Sequence, residues 1–134
     1  MISNSRRGNP EGVALASAVR NGGPFSSPDI MAFGARGIVG FLNITAVPTV
    51  VTVNARIQLR DPVSGNYIDA PDSTIGAAIS PKTVNASVAG LYLFQLGNIN
   101  ANFTSSVVSG VMRILMTHSA AGDFTYSVGY SLMA

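Results

Sequence analysis

Apolar and polar residues alternate from Val51 to Arg60. Val51, Val53, Ala55, Ile57 and Leu59 fall on one side of an extended chain, and Thr52, Asn54, Arg56, Gln58 and Arg60 on the other. This predicts a half-buried strand. It runs into Asp61-Pro62-Val63-Ser64-Gly65. There Pro62 presets the turn, Asp61 accepts from the backbone ahead of it, and Gly65 takes positive φ. A hairpin return through Tyr67 and Ile68 follows. The cleanest alternation comes near the end, where Phe124, Tyr126, Val128, Tyr130 and Leu132 oppose Thr125, Ser127, Gly129 and Ser131. The nearly continuous apolar run Ile38–Val47, closed by Pro48, predicts a central strand covered on both faces. Gly90–Leu96 is also apolar on both faces, with Leu91, Leu93 and Gln95 on one and Tyr92, Phe94 and Leu96 on the other. Further strands are expected over Asn66–Ala70, Ile75–Ile79, Thr83–Val88 and Val111–Thr117. The last of these turns into the C-terminal strand through a short hairpin at Ala120-Ala121-Gly122-Asp123. Strands at roughly ten-residue spacing predict an all-β fold, an antiparallel β-sandwich or a jelly-roll-like barrel, over residues 36–134.

Residues 1–35 break this pattern. Gly8, Pro10, Gly12, Gly22, Gly23, Pro24, Pro28 and Gly34 interrupt every long element, which predicts an extended N-terminal arm. Within it, Glu11–Arg20 has the signals of a short helix, with Asn9 as N-cap, Pro10 at the first helical position and Asn21-Gly22 as the stop. Phe25, Ile30, Met31 and Phe33 have no regular period, as expected of a strap pressed against a neighbouring subunit.

Composition changes the picture in one respect. Only 10% of the 134 residues are charged, against roughly 25% in an average soluble protein. Lys82 is the only lysine and Glu11 the only glutamate, and 15 Ser, 10 Asn and 8 Thr carry the polar surface instead. Little charge has to be desolvated when another protein covers such a surface. The net charge of +2 comes from arginines that are scattered apart from Arg6-Arg7, with no basic stripe, so nucleic-acid binding is disfavoured. There is no cysteine for a disulfide framework. Mean hydropathy is +0.36. The longest apolar region, Gly37–Val53, contains Asn43 and Pro48 and falls short of the ~20 residues a membrane helix needs. No export signal is read at the N-terminus.

Candidate chemistry is sparse. His118 is the only histidine, which excludes a multi-histidine metal site within one chain, and its place before a tight turn suggests a hairpin cap. Ser119 and Asp123 are near it in sequence, but no nucleophile-elbow pattern surrounds any serine. Asp61, Ser64, Asn66, Asp69 and Asp72 form an oxygen-rich cluster whose spacing matches no EF-hand and reads as turn chemistry. We therefore expect no enzyme activity, no cofactor and no metal.

Arg36-Gly37 before an apolar strand, Asp61-Pro62-Val63-Ser64-Gly65-Asn66-Tyr67, Arg113-Ile114-Leu115-Met116-Thr117-His118-Ser119, and the run Phe124–Leu132 together resemble a family of small tailed-bacteriophage structural proteins. The likeness covers about Arg36–Leu132. Met112 stands where that pattern has an aromatic residue. The resemblance implies a virion component, with a head decoration or cement protein as the leading reading. Such a protein would be made in the host cytoplasm and sit on the phage head surface. Its partner would be the major capsid protein, and it would be a homo-oligomer, trimer or dimer, with no nucleic-acid or membrane partner. On that reading Arg6, Arg7 and Arg20 would meet acidic or carbonyl-rich capsid grooves, with Phe25, Ile30 and Phe33 as apolar anchors. A tail, neck or fibre subunit is the alternative. A carbohydrate-binding sandwich is disfavoured by the absence of Trp.

Overall fold

A computed structural model gives the fold and describes residues 11–32, 35, 37–49, 51–69, 83–97 and 110–133. In chain order the strands are β1 (Glu11–Asn21), β2 (Phe25–Ser26), β3 (Ile30–Met31), β4 (Gly37–Ala46), β5 (Val53–Arg60), β6 (Tyr67–Asp69), β7 (Thr83–Ala86), β8 (Gly90–Gly97), β9 (Val111–His118) and β10 (Asp123–Met133). They form two antiparallel sheets that pack face to face as a β-sandwich. The first is four-stranded, in the order β1-β10-β4-β8. In the second, β9 and β5 are central, with β2 and β3 along the free side of β9 and β6 and β7 along that of β5.

Alternation determines which residues enter the core. Val53, Ala55 and Ile57 of β5 face Ile38, Leu42 and Ile44 of β4 and Phe124, Tyr126 and Val128 of β10, all buried. Asp61 behaves as its sequence context predicts. Its carboxylate accepts from the Val63 N–H at 3.0 Å and the Ser64 hydroxyl at 2.6 Å, and Gly65 closes the turn at φ 80°. The hairpin that follows pairs Arg60 with Tyr67 and Leu59 with Ile68.

Four expectations are corrected. Glu11–Arg20 is a strand, not a helix. β1 pairs with β10 from Glu11↔Ser131 to Asn21↔Asp123, and cross-strand pairing outweighs the weak helical preference of an Ala- and Val-containing segment. The segment expected as an arm is, over residues 11–32, part of the sandwich: β1 edges one sheet, β2 and β3 edge the other, and Ala14, Ile30 and Ala32 are core residues. Residues 1–10, 33 and 34 lie outside the described residues, as does the strand expected over Ile75–Ile79. Between β2 and β3 the Ser27 side chain continues the ladder, its Oγ accepting from the Ile114 N–H at 2.9 Å. The turn at Ala120–Asp123 is not a hairpin. β9 and β10 lie in different sheets, so the chain arches over the end of the sandwich. Finally, β4 is central in its sheet, but its outward residues Phe41, Asn43 and Thr45 are exposed, so among the described residues only one of its faces is covered.

Candidate interaction surface

The registers of the four-stranded sheet align residues across all four strands. Facing inward, Gly12 lies beside Tyr130, Tyr130 beside Gly40, and Gly40 beside Phe94. A methyl group on Gly40 would overlap the Phe94 ring, and one on Gly12 would overlap Tyr130. Two aromatic rings therefore lie over two glycines, a close approach that only a missing Cβ permits.

One residue along, the same registers face outward. Val13 lies beside Gly129, Gly129 beside Phe41, and Phe41 beside Leu93. Leu91 continues the row beside Asn43, which lies beside Ser127. Val13 is 70% exposed, Phe41 38%, Leu93 46% and Leu91 70%. Gly129 leaves a shallow dip between Val13 and Phe41, since a side chain there would meet nothing closer than the Gly12 carbonyl at 3.6 Å. Ser, Thr and Asn surround the row, and among the described residues charge appears on this face only near its ends, at Glu11 and Asp123. An exposed apolar row with an uncharged polar surround has the composition of a protein-binding patch. Phe41 is also the only aromatic ring among the described residues that is exposed, so the face offers no pair of platforms for a sugar.

Of the six residues singled out as capsid contacts, Arg20, Phe25 and Ile30 lie away from this row. Arg20 donates to the Tyr126 carbonyl at 2.7 Å and the Ala16 carbonyl at 2.6 Å, and its guanidinium carbon lies 4.8 Å from the Tyr126 ring centroid. Phe25 is half-buried against the core, 5.6 Å from the His118 ring. Ile30 is 4% exposed and belongs to the core. These three side chains are engaged within the chain, while Arg6, Arg7 and Phe33 lie outside the described residues. The outward row was missed as a site, although its signal was present. The runs containing Phe41, Leu91 and Leu93 are apolar on both faces, one more than a two-layer sandwich can bury.

His118 is not a hairpin cap. Its ring packs against Phe25, Phe124 and Tyr126 at the end of the sandwich, with Nε2 3.0 Å from the Tyr126 hydroxyl and Nδ1 buried without a hydrogen-bond partner among the described residues. Burial, and secondarily the Arg20 charge, holds the imidazole below its ordinary pKa. Burial pushes the Tyr126 phenol up to about 12, with Arg20 opposing. Both groups are thus neutral near pH 7. Ser119 accepts from the Thr52 N–H at 2.9 Å, and Asp123 accepts from Asn21 at 2.7 Å, so each has its own partner away from the imidazole. The oxygen-rich cluster is likewise divided. Asp61 serves its turn, Asp69 binds Arg56 and Gln58 at 2.9 Å each, and Asp72 lies outside the described residues. Among the described residues no three acidic or histidine side chains are grouped to hold a metal.

No family model matches this sequence, and no curated protein matches it.

Proposed function

We propose that the chain is a non-catalytic structural subunit of a tailed-phage virion, a head decoration protein that binds the outside of an icosahedral capsid. The observation that carries this reading is the outward row Val13–Gly129–Phe41–Leu93 with Leu91 beside it, apolar, exposed and almost free of charge. The resemblance of Asp61–Tyr67, Arg113–Ser119 and Phe124–Leu132 to small phage structural proteins supplies the context. Covering such a face gains about 25 cal/mol for each Å² of apolar area removed from water, with little charge to desolvate. Stabilisation of the shell follows because the protein binds assembled capsid protein better than free subunits. Repetition over the lattice multiplies weak single contacts. Arg6 and Arg7 remain capsid-contact residues on this reading, whereas Arg20, Phe25 and Ile30 act by holding the sandwich together.

The test is electron microscopy of particles carrying this chain, with binding of the isolated protein to purified capsids. Regular density at local threefold or twofold positions, with the four-stranded sheet against the shell, is the expected result. Phe41→Asp with Leu93→Asp should weaken binding by about 30-fold or more, the scale of losing a hot spot worth 2 kcal/mol. Density confined to the tail or neck would replace this reading with a tail or neck subunit.

A further inference from the structure

The bend that leads out of β1 carries a reactive peptide: we propose that Asn21 is a site of spontaneous modification. Its side-chain amide cyclises onto the Gly22 nitrogen and hydrolyses to a carboxylate that unfastens the end of β1. Of the ten asparagines in the chain, Asn21 alone is followed by glycine. Behind every other one stands a residue whose Cβ crowds the approach to its own nitrogen. Asn21 is exposed at the last position of β1, and Gly22 lies just beyond the strand. Gly22 has φ 73° and Gly23 φ 129°, so the peptide that must pivot toward the side chain lies among glycines in conformations other residues rarely adopt. The Gly22 N–H has no acceptor among the described residues, so no hydrogen bond has to break to free the nucleophile. The Asn21 side chain is held at both ends. Nδ2 donates to Asp123 Oδ1 at 2.7 Å, and Oδ1 accepts from the Gly122 N–H at 3.3 Å. That second bond sits where negative charge collects when a nucleophile adds to Cγ.

In the reaction, the Gly22 nitrogen loses its proton and adds to Asn21 Cγ. The N–Cγ bond forms, the Cγ–Nδ2 bond breaks, and Nδ2 leaves as ammonia with the proton that Gly22 gave up. The five-membered imide then takes up water. Opening at Cγ yields aspartate, and opening at the main-chain carbonyl yields isoaspartate, in which the backbone runs through Cγ. One water is consumed and one ammonia released, with no change of oxidation state. Either product alters the end of the strand. In aspartate, the donor that held Asp123 becomes a second carboxylate, so like-charge repulsion replaces a hydrogen bond across the pair Asn21↔Asp123. In isoaspartate, the extra main-chain carbon also spoils the register. The next pairs inward, Arg20↔Phe124 and Val19↔Thr125, then lie at a frayed end. This conversion runs one way, belongs to the chain itself and does not depend on the capsid reading.

The test is peptide mapping by mass spectrometry of the full chain aged in neutral and in mildly alkaline buffer. Asn21 is expected to convert at least about tenfold faster than Asn66, which is also exposed outside a strand but precedes Tyr67. Conversion should be faster in the alkaline buffer, because the nucleophile is the deprotonated nitrogen. Gly22→Ala should slow it by at least about tenfold. The added methyl meets no atom within 4 Å, so the strain of a left-handed alanine stays local. Asn21→Asp, which installs one product directly, should raise amide hydrogen exchange over Val19–Asn21 at least about tenfold while leaving β4 unchanged. An Asn21 that converts in the urea-unfolded chain but persists in the folded one would overturn the proposal, because its bonds to Asp123 and Gly122 would then protect the amide. So would an Asn21→Asp variant whose β1 amides exchange as in the unmodified protein.

Discussion

The outer faces of the two sheets differ in how their surfaces are completed. On the second sheet, registers bring Arg113 beside Gln58 and Gln58 beside Asp69, and the side chains bond along that line. Arg113 donates to Gln58 at 2.8 Å, Gln58 to Asp69 at 2.9 Å, and Arg56 to the other Asp69 oxygen at 2.9 Å. The Arg113 guanidinium stacks 3.7 Å from the centroid of Tyr67, whose hydroxyl donates to Asp29. Gln58 is only 8% exposed although it points away from the core. This face satisfies its polar groups internally, and covering it would disturb bonds already made. The outer face of the first sheet has Val13, Phe41, Leu91 and Leu93 at equivalent places. Apolar groups have no internal bonds to break, and only another surface can remove them from water. One sandwich thus carries a finished face and an unfinished one.

The strongest way to break this comparison is from beneath the apolar face. Phe94→Ala should cost about 3–5 kcal/mol, the range for a buried aromatic, read as a fall in the denaturation midpoint. Gly40→Ala should cost about 3 kcal/mol by overpacking against that ring. Combined, the two should cost no more than Phe94→Ala alone, a coupling of about 3 kcal/mol; additive losses would show that the ring does not lie over Gly40.

A second pair of variants sharpens the difference between the faces. Asp69→Ala removes a partner of the nearly buried Gln58 and should destabilise by about 1–2 kcal/mol. Its ion pair with Arg56, half-buried on the Arg56 side and exposed on the Asp69 side, contributes at most about 1 kcal/mol of that. Leu93→Thr should change stability by no more than about 0.5 kcal/mol while weakening assembly. The reverse pattern in chemical denaturation would assign the faces opposite roles.

The smallest effect is pH-dependent and separates the core from both faces. Because the folded His118 pKa lies below the ordinary 6.5, the unfolded chain binds its proton first as pH falls. The His118 contribution is therefore complete above pH 6.5. It declines as pH falls through 6.5 toward the folded value and levels off below it. His118→Gln should flatten the stability profile between about pH 5 and 7, and an unchanged slope would place its origin elsewhere.

Much of the fold is legible in the sequence because strand alternation is a local property. β5 and β10 fall where period-two patterns place them, β8 and β9 where apolar runs between turn signals place them, and the Asp61 turn forms from hydrogen bonds between near neighbours in the chain. Glu11–Arg20 was misread because its Ala residues favour helix and its Val residues favour strand, so local preference did not decide, and its partner, β10, lies about a hundred residues away in the chain. The interaction surface was half legible. Excess hydrophobicity on β4 and β8 is visible in the letters, but which face stays outside depends on where the second sheet packs.

By itself, then, the sequence determined that this is a sparsely charged all-β chain, which residues share a strand face, and how the Asp61 turn closes. Each of those follows from neighbouring side chains and local backbone sterics. Only the tertiary structure decided that residues 11–32 edge both sheets, that His118 turns inward, and that Val13, Phe41 and Leu93 meet in one exposed row across Gly129. Those outcomes are set by register between strands far apart in the chain, and a one-residue slip would turn every one of those side chains to the opposite face.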